Sequence, residues 1–152
     1  MSGHPPTTLD PQVRLEIYRT FLETGEPPKA GAIAATLGLP ESDVRTALER
    51  LASGRAIVLR HGTHDVLMAA PFSAEPTRFR VEVEGRQWWA NCVWDALGIP
   101  AMLGASATIS ARCGDCDEPL SLRVVGGALG NSECAVHFAV PAARWWEDIV
   151  FT

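Results

Sequence analysis

Four cysteines and one carboxylate carry the chemistry this sequence offers. Cys92 and Asp95 stand three residues apart in the segment WANCVWDALGIPA. On a helix that spacing puts a thiol and a carboxyl on one face, with Trp88, Trp89 and Ala96 close by. Val93, Trp94, Ala96 and Leu97 flank the carboxyl with apolar surface. Burial raises a carboxyl's pKa and suits it to exchange a proton near neutral pH. A thiol beside it is a nucleophile or a soft-metal ligand. The plainer alternative stays open, because free cysteines are also among the most buried core residues.

Cys113, Cys116, Cys134 and His137 form C-x2-C-x17-C-x2-H, a set of ligand types that holds zinc in other proteins. Residues 120–125 and 135–140 read as paired strands, with Leu120 opposite His137. Cys116 and Cys134 then fall at opposite ends of a hairpin, roughly 20 Å apart at about 3.3 Å per residue. That argues against one shared ion. The remaining readings are a CxxC half-site that receives Hg(II) and a tight turn that happens to hold two thiols. His137 reads as a half-buried strand residue, with pocket lining as its alternative. His61 and His64 read as solvated loop residues.

The elements that must position these groups follow from periodicity and punctuation. Asp10-Pro11 reads as a helix start, and Leu15, Ile17, Tyr18, Phe21 and Leu22 continue it to Gly25. A second helix spans Ala30–Leu37 with Gly38 as its cap. A third begins after Pro40 and carries Val44, Ala47, Leu48 and Leu51 as far as Ser53–Gly54. Ala56–Leu59 and Val66–Ala69 read as strands around a turn at His61–Asp65. Three helices and a hairpin make a winged-helix-like module over residues 10–70. Pro71–Pro76 reads as a linker to a second domain, residues 77–152. There Arg78–Val83 is a strand, and Arg86 to Leu97 reads as a helix ended by Gly98 and Pro100. Ala107–Ala111, Leu120–Val125 and Ala135–Val140 read as strands of a small antiparallel sheet, with a last helical turn at Ala143–Trp146. The class is α+β.

Composition bounds the function. The chain has 152 residues, 47% hydrophobic and 20% charged, which suits a folded globular protein. The net charge of −5 opposes binding to a phosphate backbone. Arg45, Arg50, Arg55 and Arg60 on the helix-turn-helix-like segment are interspersed with Glu41, Asp43 and Glu49, so nucleic acid is not the expected partner. No apolar run is long enough for a membrane helix, and residues 1–10, rich in proline and small polar residues, read as a loose tail with no signal-peptide pattern. The expected location is the cytoplasm, where thiols stay reduced.

The stretch WANCVWDALGIPAMLGASATISARCGDCDEPLSLRVV resembles the central region of the alkylmercury (organomercurial) lyase family. The matching features are the aromatic lead-in, Cys92, Asp95, Leu97, Pro100-Ala101, Leu103-Gly104, the hairpin cysteine Cys113, and Pro119-x-Ser121-Leu122. AVHFAVP (135–141) is similar in kind to a family strand ending in proline. The likeness is dense from about residue 80 onward and architectural over 10–70.

The resemblance implies thiolate-assisted protonolysis of a carbon–mercury bond. Cys92 would bind the organomercurial, and Asp95 would donate the proton and transiently hold mercury. Hg(II) is then the product, cellular thiols are partners, and no cofactor is required. The family's second active-site cysteine follows the proline that ends the AVHFAVP-like strand. Counting on from Pro141 reaches Phe151 and Thr152 without one, which implies a short or C-terminally truncated member. The reading leans to an enzyme. Its alternatives are a noncatalytic mercury-binding or winged-helix metal-sensing protein, or an enzyme of this fold with another substrate.

Overall fold

The computed structural model describes residues 9–130 and 132–150. Most of the expected tail, the turn residue Asn131, and Phe151 and Thr152 lie outside the described residues.

Three helices open the chain: α1 (Leu9–Thr24), α2 (Ala30–Leu37) and α3 (Glu41–Ser53). Their apolar stripes meet through Val13, Ile17, Phe21, Ile33, Val44 and Leu48, all essentially inaccessible to solvent. Gly38 caps α2 in the left-handed conformation, φ 67°, where its N–H reaches the Ala34 carbonyl. Asp10 is buried in the first turn of α1, where it takes the Arg50 guanidinium of α3.

Among the described residues eight strands form one antiparallel sheet in the order β1-β2-β3-β5-β4-β6-β7-β8. They are β1 (Val58–Leu59), β2 (Val66–Ala69), β3 (Phe72–Ser73), β4 (Phe79–Val83), β5 (Arg86–Ala90), β6 (Ala107–Arg112), β7 (Pro119–Val125) and β8 (Ala128–Leu129). The segment expected to be a linker therefore carries a strand. β3 pairs with β2 on one side and β5 on the other. Phe72 is fully buried and stacks on Phe21 of α1, ring centroids 5.2 Å apart. Trp88 of β5 donates its indole N–H to the Phe21 carbonyl at 2.7 Å.

Two expectations fail in the second half. Residues 86–97 are not one helix. Glu84 and Gly85, at φ 50° and 80°, close a tight turn that folds Arg86 back onto Val83. Arg86–Ala90 then runs as β5, burying Trp88 and Ala90 in alternation. The helix, α4, starts later and runs Val93–Leu103. Gly98 and Pro100 lie inside it, with Pro100 fully buried, and Gly104 at φ 62° ends it. A proline removes one helical hydrogen bond. Here the buried face of α4 (Ala96, Ile99, Pro100) seats against the sheet despite that loss.

Residues 135–140 are not a strand. Gly126 and Gly127, both at positive φ, close a two-residue turn, and the short β8 takes the place beside β7. Val124 thus pairs with Leu129, and Leu120 pairs with Ala111 rather than with His137. His137 is exposed, not half-buried. A 3-10 helix, Ala142–Glu147, includes the final helical turn read from the sequence.

Candidate active site

Cys92 sits at the junction of β5 and α4. It is the N-cap residue of α4, with extended backbone at φ −149°, and Asp95 is the third residue of the helix. The pair is therefore neighbouring, as the spacing predicts, but at a helix start and not within a helix. Trp88 and Trp89 lie on β5 and do not cover it.

Both groups line one cavity of about 230 Å³. Its walls are mainly apolar. Ile57, Val58 and Met68 come from the first half of the chain, Trp94 from α4, and Phe138, Trp145 and Trp146 from the C-terminal segment. Phe138 packs against Trp145, centroids 5.2 Å apart. Arg55 lies over the Trp146 ring at 5.6 Å. Among the described lining residues Cys92 is the sole cysteine. His137 does not line the cavity, whereas its neighbour Phe138 does.

The electrostatics follow from this placement. Burial pushes the Cys92 thiol above its ordinary pKa, and the Asp95 charge adds to that rise. The Asp95 and Trp94 backbone N–H groups, among those a helix start leaves unpaired, act against it. Burial also raises the Asp95 carboxyl, and a hydrogen bond from Asn91 opposes the rise. In that bond Asn91 Nδ2 donates to Asp95 Oδ2 at 2.9 Å. Asn91 Oδ1 is the sole buried side-chain polar atom without a partner among the described residues. Sequence reasoning missed Asn91. Its only signal was an amide four residues before the acid, and that has meaning only once the helix start is placed between them.

Cys113 and Cys116 lie elsewhere, on the turn between β6 and β7. Backbone N–H groups of Cys116 and Asp115, together with the Cys116 thiol, hold Cys113 below the usual thiol pKa. Cys134 and His137 are both exposed, and no three His, Cys, Asp or Glu side chains cluster as a metal site among the described residues. The four-residue set read from spacing is thus not assembled. The arginines of the helix-turn-helix-like segment are engaged: Arg45 with Glu41, Arg50 with Asp10, Arg60 with Glu75, and Arg55 over Trp146.

The alkylmercury lyase (MerB) family model matches residues 72–152, more than half of the chain and the whole α4 region. The chain belongs to the alkylmercury lyase family. An alkylmercury lyase of Staphylococcus epidermidis is 30% identical over 93 residues, 61% of this chain and 41% of that one. Alkylmercury lyases of Bacillus cereus and Clostridium butyricum are each 29% identical over 111 residues, 71% of this chain and 49% of theirs. The chain thus spans about half the length of the curated relatives it matches. The crystal structure of the mercury-bound form of MerB2 shares the fold, with a TM-score of 0.66 over 84% of this chain and 61% of that chain, at 23% identity. In this family member the thiol–carboxyl pair stands in an aromatic-walled cavity to which both halves of the chain contribute.

Proposed function

We propose that the protein cleaves carbon–mercury bonds, with Cys92 as the mercury ligand and Asp95 as the proton donor. The observation that carries this reading is that a thiol and a carboxyl with a raised pKa open onto the same mainly apolar cavity. An organomercurial carries a soft metal and a hydrocarbon group, and the site offers one surface to each. Thiolates are the preferred ligands of soft cations, and the cavity walls receive the hydrocarbon.

The steps balance without a redox change. The Cys92 thiol exchanges with the ligand X of R–Hg–X, so that a sulfur–mercury bond forms and HX leaves. Asp95 in its acid form then protonates the carbon as the carbon–mercury bond breaks, and R–H departs. Hg(II) remains on Cys92 sulfur and the new Asp95 carboxylate until cellular thiols take it. The raised pKa of Asp95 keeps the acid form available toward neutral pH. Asn91 serves either state of Asp95, donating its N–H to the carboxylate and, with the amide turned over, accepting the acid's O–H at Oδ1.

The three N-terminal helices and the β1–β2 hairpin are read as a winged-helix-like packing module. Its role here is to build one wall of the cavity, not to bind nucleic acid. The expected setting is the cytoplasm, where free thiols are abundant.

The test is protonolysis of phenylmercury or methylmercury in excess thiol, followed as hydrocarbon release. The wild-type chain is expected to turn over and Cys92→Ser is not. A folded wild-type protein that binds the organomercurial and releases no hydrocarbon would refute the reading in favour of a mercury-binding protein.

A further inference from the structure

We propose that Cys113 and Cys116, in the turn between β6 and β7, form a second soft-metal site, a dithiol that accepts Hg(II). Both residues lie in the one turn that joins β6 to β7. The Cys113 N–H bonds the Glu118 carbonyl at 2.9 Å, and the Asp117 N–H bonds the Cys113 carbonyl at 3.1 Å. These bonds fold CGDC into a compact turn, with Cys113 and Cys116 three residues apart at its two ends. Cys116 is exposed and Cys113 is half-exposed, and neither is in a disulfide. Arg78 and Arg112 both hold Asp117, so two guanidinium groups stand beside the turn. Arg78 also donates to the Cys113 carbonyl at 3.4 Å. A soft cation that favours two thiolates is the ligand such a pair selects.

The register places this pair at the end of the sheet where β5 leads to Cys92. Ala90 of β5 pairs with Phe79 of β4, and Arg80 of β4 pairs with Ser110 of β6. β5 and β6 therefore end at the same end of the sheet on either side of β4, one leading to Cys92 and the other to Cys113. Neighbouring strands lie about 4.8 Å apart, so the two strand ends are separated by about 10 Å. Neither Cys113 nor Cys116 lines the cavity that holds Cys92, so the dithiol is a separate site. A small thiol can carry mercury from one to the other by exchange. The exchange is redox-neutral: Hg(SR)₂ and the two cysteine thiols give the bis-cysteine complex and two RSH. The inference rests on the lyase reading only for the source of the metal.

The test uses inorganic mercury, so that it stands or falls apart from carbon–mercury cleavage. The 152-residue chain carrying Cys92→Ser and Cys134→Ser receives one equivalent of mercuric chloride and is dialysed against excess glutathione. One Hg(II) per chain is expected to remain. Adding Cys113→Ser or Cys116→Ser is expected to lower the retained mercury at least about tenfold, because a chelating pair gains the effective concentration that a single thiol lacks. Retention that is equal with and without the pair overturns the proposal. A readout needing no further variant is iodoacetamide labelling of the Cys92→Ser/Cys134→Ser protein. One equivalent of mercury is expected to protect both thiols together, and protection of neither or of one alone overturns the proposal.

Discussion

Replacing Asp95 by asparagine separates chemistry from architecture more cleanly than any other change in the site. The side chain keeps its shape, and its amide oxygen can still accept the 2.9 Å hydrogen bond from Asn91 Nδ2. What is lost is the proton. A positioned general acid contributes typically about 10²–10⁴-fold to rate. At 1.36 kcal/mol per decade the barrier should rise by about 3–5 kcal/mol. Stability should move the other way. Burial raises the Asp95 pKa in the folded protein, so folding favours its protonated form. Any stability from this group is fully present below the unfolded carboxyl's pKa and is lost as pH rises through the higher folded value. Asparagine never ionises, so Asp95→Asn should unfold at the same or a higher temperature than wild type at neutral pH. The assay is single-turnover release of hydrocarbon from a stoichiometric organomercurial complex, run beside a thermal melt. The expected result is retained binding through Cys92, an undiminished melting temperature and a rate down by at least about a hundredfold. In the wild type the same rate should fall as pH rises past the raised Asp95 pKa, and that limb should vanish in the variant. A variant within a few-fold of the wild-type rate would place the proton donor elsewhere.

Two further outcomes follow from the packing. Phe72→Ala removes a fully buried ring that stacks on Phe21 and meets Tyr18 and Trp88. It should cost about 3–5 kcal/mol in denaturant unfolding, and a cost below about 1 kcal/mol would mean that β3 is not the seam between helices and sheet. Arg55→Ala removes the cation over Trp146 at the cavity wall. An exposed contact of this kind is worth about 0.5–1 kcal/mol. The organomercurial KM should therefore rise roughly two- to five-fold with kcat little changed, as measured by steady-state hydrocarbon release.

Much of this protein was written locally in its residues. The spacing of Ile17, Phe21, Val44, Ala47 and Leu48, with glycine and proline between them, determined the first three helices, since each depends on a stripe and a stop only a few residues apart. The alternation in Phe79–Val83 and the apolar run Val66–Ala69 beside a turn marked strands for the same reason. Cys92 and Asp95 were legible as a pair because their separation is one helical turn, whether at a helix start or within one. Three things were decided only by tertiary structure. Gly98 and Pro100 carry stop signals, yet burial of Ile99 and Pro100 against the sheet outweighs them and carries α4 on to Gly104. AVHFAV has the pattern of a strand, but the Gly126–Gly127 turn puts β8 at the edge and leaves 135–140 outside the sheet. The cavity itself joins Ile57 and Met68 to Cys92, Asp95 and Trp146, residues far apart in the chain. Sequence spacing specifies contacts a few residues long, and closing long loops to assemble a pocket is settled by which surfaces can be buried together.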